Sequence, residues 1–245
     1  MKYAAISDKG IIREQNEDFW NIILDINGNP QAFIVADGMG GHKAGDVASK
    51  MAVESISKSI SCYLEKNKDG DGTNEKFLRE AINKANEVIF QYAMENLDGS
   101  NIGTTLTAGL LCNGKLTIAH IGDSSFYLIR NETIVKLTKD HSFVGELVDK
   151  GILDQEEARV HPLRNQITRA LGYEEEVQID FYSLDVMPND IYLFCTDGLT
   201  MKLSSDELLS MLKEEKDLNI ILKNMVALAN ERGGDDNITA IVVKI

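Results

Sequence analysis

Between Ala44 and Leu64 the apolar residues Ala44, Val47, Ala48, Met51, Ala52, Ile56 and Ile60 fall at three- to four-residue steps. That spacing predicts a helix with one buried face. A second stripe, Phe77, Leu78, Ala81, Ile82, Ala85, Ile89 and Ala93, predicts a partner helix that Asn74 can cap. The polar, glycine-bearing stretch 66–73 between them reads as a loop. Elsewhere the pattern shortens to strand-like runs. Tyr3–Ser7, Phe19–Ile26 and Gln31–Ala36 precede the helices, the last two forming a hairpin. Thr104–Cys112, Lys115–Ile121 and Ser125–Arg130 follow them, joined by short turns of which Asn113-Gly114 is a strong hairpin signal. Val177–Leu184 and Asp190–Thr196 are further strands, Ser204–Leu212 and Asp217–Ala229 further helices, and a last strand ends at Ile245. His141–Arg164 breaks the texture: short, charged and weakly helical, it reads as a flap over a site, about residues 142–165.

Strands, two helices, many strands, two helices and a strand make few strand–helix alternations. The order disfavours a doubly wound parallel sheet and predicts an α+β protein with helices outside mostly antiparallel sheets. No repeat or linker interrupts it, so the expectation is one domain over residues 1–245.

Several predicted strands carry an aspartate at one end. Phe33-Ile34-Val35-Ala36 runs into Asp37-Gly38, with a sharp turn expected after the strand. The run ending at Thr196 meets Asp197-Gly198, and the run ending at Ile121 meets Gly122-Asp123. Near the C-terminus the order reverses, Gly234-Asp235-Asp236-Asn237 leading into Ile238. Any one Asp-Gly is an ordinary turn, but the recurrence predicts carboxylates gathered at one rim. Each like-charge pair at 4 Å costs roughly 1–4 kcal/mol, which protons or cations must offset. Oxygen donors without histidine or cysteine nearby favour Mg²⁺ or Mn²⁺ over zinc. The four histidines have no ligand spacing. The glycines after Asp37 make no nucleotide loop, because a Gly-x-Gly-x-x-Gly begun at Gly38 would need glycine where Lys43 stands.

Composition narrows the classes further. The 245 residues are 43% apolar and 26% charged, with a formal charge of −14. Such a surface repels nucleic-acid phosphates. Three cysteines with no CxxC spacing suggest reduced thiols, and Cys195, inside an apolar run, reads as a packed core residue. The N-terminus has no signal-peptide profile and no apolar run is long enough to span a bilayer, so a soluble, cytoplasmic protein is expected.

The motifs occur in a telling order. Ser7-Asp8-Lys9-Gly10, Arg13 and Asn16-Glu17-Asp18 come first, then Val35-Ala36-Asp37-Gly38-Met39-Gly40-Gly41-His42 and Gly103-Thr104-Thr105. Gly122-Asp123-Ser124, Thr138-Lys139-Asp140-His141-Ser142, Thr196-Asp197-Gly198-Leu199 and Gly234-Asp235-Asp236-Asn237-Ile238-Thr239 follow. From first strand to last, the chain resembles the bacterial branch of the metal-dependent (PPM, type 2C) serine/threonine protein phosphatases. The resemblance implies a four-layer α/β/β/α fold, a β-sandwich of two antiparallel sheets with helices on each side. It implies hydrolysis of phosphoserine and phosphothreonine by water shared between two Mn²⁺ or Mg²⁺ ions, with a place for a third, and so opposition to a Ser/Thr protein kinase.

By that resemblance Asp37 bridges the two ions, the Gly38 carbonyl serves one of them, and Asp197 and Asp236 serve the other. Asp18 lies beside the first ion with Glu17 near it in the second layer, as is Asn237, and Asp123 with Asp197 matches the third position. Arg13 matches the residue that grips the phosphate, a task suited to paired guanidinium donors. His42 or a water would protonate the leaving group; Met39 stands where animal members carry a histidine. Ser125 replaces an arginine common in bacterial members, with a local structural consequence expected. Phosphoprotein substrates are the implied partners, and a monomer the implied state. The alternatives are a catalytically silent phosphoprotein-binding regulator on the same fold, a phosphatase of an anti-anti-sigma type regulator, and a calcium-binding sandwich.

Overall fold

The computed structural model describes residues 1–40, 44–66, 74–97, 102–214 and 216–245. Two antiparallel sheets face each other. The first, in spatial order, contains β1 (Lys2–Asp8), β11 (Ile238–Lys244), β10 (Ile191–Cys195), β7 (Ser125–Arg130) and β8 (Thr133–Lys136). The second contains β2 (Asp18–Leu24), β3 (Pro30–Met39), β5 (Leu106–Cys112), β6 (Lys115–Ile121) and β9 (Asp180–Asp185), with the short β4 (Gly103–Thr104) paired to the end of β3. Helices α1 (Gly45–Lys66) and α2 (Asn74–Asn96) cover the outside of the second sheet. Helices α5 (Asp197–Thr200), α6 (Ser205–Leu212) and α7 (Leu218–Glu231) cover the first. The α+β sandwich with flanking helices is thus present. Two small helices, α3 (Phe143–Asp149) and α4 (Gln155–Val160), lie within residues 142–165, the segment expected to act as a flap.

Strand alternation builds three cores from one pattern. In β3, Ala32, Ile34 and Ala36 face α1 and α2, while Phe33 and Val35 face the other sheet. In β10, Ile191, Leu193 and Cys195 face the helices, while Tyr192 and Phe194 point into the sandwich. Strands buried on both faces read as continuous apolar runs, which is why these two stood out in the sequence. Phe194 stacks on Phe33 at 5.5 Å and meets Phe126 at 4.7 Å, locking the sheets together. Burial pushes the Cys195 thiol up to about 12, as befits a core residue.

Several boundaries differ from expectation. β3 does not end at Ala36: Gly38 and Met39 stay in the strand, paired with Thr104 and Gly103. β9 starts at Asp180, not Val177. β8 is missing from the sequence reading because its turn, Asn131-Glu132, holds both residues in the left-handed region (φ 50° and 62°), where glutamate is unusual. Helix α5 was not foreseen either; Thr196 is its N-cap, and Asp197 begins the helix instead of a turn. Of the expected loop at 66–73, Lys66 instead ends α1, and 67–73 lie outside the described residues.

His120, on β6, is fully buried. Its Nε2 donates to the Lys139 carbonyl (2.9 Å), so the neutral ring accepts at Nδ1 from Thr107 Oγ1 (3.0 Å). Burial first, and the neighbouring His141 second, push its pKa down to about 3. The unfolded chain takes up this proton near pH 6.5, whereas the fold resists it until about pH 3. Stability from this residue is therefore full above pH 6.5 and is lost as pH falls, by up to about 1.4 kcal/mol per pH unit. Between pH 7.5 and 5.5 the change in urea-unfolding free energy should be about 1 kcal/mol less favourable in wild type than in His120→Gln, the aspartates contributing equally to both; the same pH dependence in the two proteins would contradict the assignment.

Candidate active site

The inner faces of the sandwich turn polar at one end. Continuing the Phe33–Val35 alternation puts Asp37 inside; continuing back from Ile22 and Trp20 puts Asp18 inside, and the two aspartates are register partners on adjacent strands. From the other sheet, Phe194 leads to Thr196, and Ile241 leads back to Thr239. Thr196 Oγ1 donates to Asp18 Oδ2 across the sheets (2.8 Å) and accepts from the Thr239 amide (3.0 Å). Thr239 in turn shares a hydroxyl hydrogen bond with Ser7 (2.8 Å). Thr104 and Thr105 fix Asp37 through its backbone: its amide donates to Thr105 Oγ1 (2.9 Å), and its carbonyl accepts from the Thr105 amide and Thr104 Oγ1 (2.9 Å each). Thr105 Oγ1 also meets Ser124 Oγ (2.6 Å), tying Asp37 to the Asp123 loop. The sequence reading quoted these threonines within the motifs but gave them no role.

Asn237 secures the N-terminal loop. Its side chain is buried, accepts from the Glu17 amide (2.8 Å) and donates to the Lys9 and Gln15 carbonyls (2.9 Å each). Gly38 allows the tightest approach, since a Cβ there would stand 2.0 Å from the Gly45 carbonyl oxygen at the start of α1. The Glu17 carboxylate lies against Gly45, and Ser49 Oγ holds the Glu17 carbonyl at 2.6 Å.

The result is a cavity of about 570 Å³ lined by Asp37, Gly38, Asp123, Asp197, Asp236, Glu17 and Arg13, with Asn165 and Ile167 on its far side. Asp18 is buried behind it. Arg13 donates from Nη2 to Asp236 Oδ2 (2.9 Å) and from Nε to the Asp235 carbonyl (3.2 Å). Asp235 itself points away, in an ion pair with Lys202. So the structure brings the predicted aspartates, Gly38, Glu17, Asn237 and Arg13 together. His42 lies outside the described residues. Ser125 is buried, its hydroxyl without a hydrogen-bond partner of good geometry among the described residues, and nothing in the structure explains the exchange. The flap segment reaches the cavity at Asn165, and the stretch after it, from Ile167 onward, contributes more than the sequence suggested.

The carboxylates pay electrostatically for this closeness. Burial raises Asp18 to about 7, opposed by hydrogen bonds from Thr239 and Thr196 and reinforced by Asp197 and Asp236. Burial and then Asp236 raise Asp197 to about 6. Burial, followed by the other aspartates, holds Asp37 and Asp123 well above the usual carboxylate range. Among the described residues, Asp18, Asp123 and Asp197 each keep one buried Oδ1 with no hydrogen-bond partner. Such orphaned oxygens are costly unless a cation or proton meets them. Among the described residues no three acidic, histidine or cysteine side chains close around a single point.

The protein phosphatase 2C family pattern matches residues 13–242. The chain belongs to that family. It is 39% identical over 241 residues to the serine/threonine phosphatase stp of Listeria welshimeri, covering 97% of this chain and 93% of that one. The crystal structure of the serine/threonine phosphatase Stp1 from Staphylococcus aureus superimposes with a TM-score of 0.91 at 34% identity, covering 100% and 94% of the two chains. The catalytic domain of the serine/threonine protein phosphatase PstP, solved in complex with two manganese ions, superimposes with a TM-score of 0.82 at 34% identity over 98% and 96%.

In a protein phosphatase 2C fold with these raised carboxylates, cation binding and pH are linked. The folded aspartates retain protons that the unfolded chain sheds near pH 4, so their contribution to stability falls as pH rises through 6 to 7. Divalent cations displace those protons. The gain in Tm from millimolar MgCl₂ or MnCl₂ should be small at pH 5 and grow towards pH 8; a gain independent of pH would contradict this electrostatic account.

Proposed function

We propose that this chain hydrolyses phosphoserine and phosphothreonine in proteins, using two Mn²⁺ or Mg²⁺ ions held by the aspartate rim. The observation that carries the reading is the set of orphaned carboxylate oxygens around a cavity that also contains Arg13. Asp37 and the Gly38 carbonyl, Asp197, Asp236 and Asp18 would hold the two ions. Glu17 and Asn237 would support them from behind, and Asp123 with Asp197 offers a third, weaker place. Such ions, when bound, acidify water and offset charge on a phosphoryl group.

The remaining chemistry belongs to side chains. Arg13 Nη1 has no protein partner among the described residues, and Nη2 is shared with Asp236. An arriving phosphate competes with Asp236 for this guanidinium and is oriented by its paired donors. His42, on the glycine-rich stretch after β3, is the proposed proton donor to the leaving alkoxide. The substrates would be proteins phosphorylated by a Ser/Thr kinase that this enzyme opposes. Residues 1–245 would act as one catalytic domain, monomeric and cytoplasmic. Among the described residues no helix is long and apolar enough to cross a membrane.

With Mn²⁺ present, the protein should release phosphate from a phosphothreonine peptide, and EDTA should abolish this. Asp37→Asn should lower turnover about 100-fold or more, the scale expected for removing one charge-stabilising group from a reaction centre. EDTA-insensitive activity, or a variant with wild-type rate, would overturn the reading. His42→Gln should slow peptide hydrolysis far more than that of p-nitrophenyl phosphate, whose leaving group needs no proton; equal effects would remove His42 from the role.

A further inference from the structure

The cavity does not end at the aspartates. Met39 and Ile167 line both it and a second groove of about 650 Å³, so the two spaces adjoin. The far wall of this groove includes Tyr173, Glu174 and Glu176. We propose that the groove is the subsite for basic residues flanking the phosphorylated serine or threonine of a protein substrate, an inference that rests on the phosphatase reading above.

Charge selects the occupant. Glu174 and Glu176 are exposed, and among the described residues neither carboxylate has an ion pair or hydrogen bond. The cation in the groove, Arg169, is already engaged, donating to Asp180 (2.8 Å) and lying 3.0 Å from His141 Nε2. The groove therefore presents uncompensated negative charge beside a pocket that takes an anion. A phosphoryl group is repelled from it, a lysine or arginine is drawn to it, and the two preferences together fix the register of a bound peptide. Tyr173 is 48% exposed and offers a ring face to a cation. Met39 and Ile167, at the junction, can cover the methylene stem of a long basic side chain.

The acidic wall is also built, not merely solvated. Leu171, fully buried, exchanges both backbone hydrogen bonds with Thr104 (3.0 and 2.8 Å). Asn86, buried on α2, accepts from the Gly172 amide (2.6 Å) and donates to the Glu174 and Glu175 carbonyls (2.9 Å each). Gly172, at φ +85°, packs so closely on Ile89 that a Cβ would stand 2.2 Å from Ile89 Cγ2. Both amide hydrogens of the Asn86 carboxamide and one lone pair of its oxygen are thus committed to this loop. A wall held this way loses little conformational freedom when a peptide binds.

The test uses Mn²⁺-loaded full-length protein and two phosphothreonine peptides of equal length, one flanked by lysine and arginine, the other by alanine and glutamine. Wild type should show a higher kcat/KM for the basic peptide. Glu174→Gln with Glu176→Gln should reduce that preference by about two- to five-fold per charge removed, leaving p-nitrophenyl phosphate hydrolysis unchanged. Glu175→Gln, which alters a residue outside the groove lining, should have little effect. A double variant with the wild-type preference would overturn the proposal. So would an equal effect from Glu175→Gln, which would assign the preference to the overall negative field. Failure of wild type to hydrolyse p-nitrophenyl phosphate or either peptide would instead overturn the phosphatase reading beneath it.

Discussion

Burying like charges together is the constraint around which this end of the molecule is arranged. Asp18, Asp37, Asp123 and Asp197 are all driven towards protonation by burial and by one another. Left alone, a chain would splay them apart. Here Asp18 and Asp37 are tied through neighbours that cannot easily yield: Thr196 reaches across the sandwich to Asp18, Thr104 and Thr105 clasp the backbone of Asp37, and Asn237 holds the loop that ends at Asp18. The three packed cores behind them supply the stability against which this unfavourable cluster is held.

Antiparallel topology explains why residues so far apart in sequence meet. Neighbouring strands run in opposite directions, so the ends of β1 and β10 lie beside the start of β11, the end of β3 beside the start of β2, and the end of β6 beside the starts of β5 and β9. A carboxylate after one strand and before its neighbour therefore arrives at the same rim. Side-chain alternation then decides which aspartates point inward. Asp37 continues the inward row of Phe33 and Val35, whereas Asp235, one residue out of phase with Asp236, turns to Lys202 at the surface.

That logic was partly legible in the amino-acid pattern. Double-faced burial of β3 and β10 shows as unbroken apolar runs, and the stripes of α1, α2 and α7 show as three- and four-residue spacing. The aspartates stood out because they recur at strand ends. What could not be read was tertiary. The turn between β7 and β8 uses a glutamate at positive φ, against its local preference. Thr196 and Thr239 look like ordinary strand threonines until the other sheet supplies Asp18 to the first and the neighbouring strand β1 supplies Ser7 to the second. The loop from Leu171 to Glu176 takes its fixed shape from distant partners, Thr104 and the buried Asn86, 86 positions before Gly172.

The acidity of the cavity carries a further consequence for the order of events. A phosphate monoester is itself anionic, and at 4 Å each carboxylate would repel it by roughly 1–4 kcal/mol. Arg13, the cation in the cavity lining, is already paired with Asp236. The site as the protein alone builds it therefore gives a phosphate little net attraction where its aspartates are ionised, and divalent cations, when bound, would offset that opposing charge as well as acidify water. Negative charge serves two separate purposes along one continuous surface: at the rim it gathers cations and so makes an anion welcome, while beside Glu174 and Glu176, where no such cluster is buried, it stays uncompensated and faces whatever flanks the phosphate.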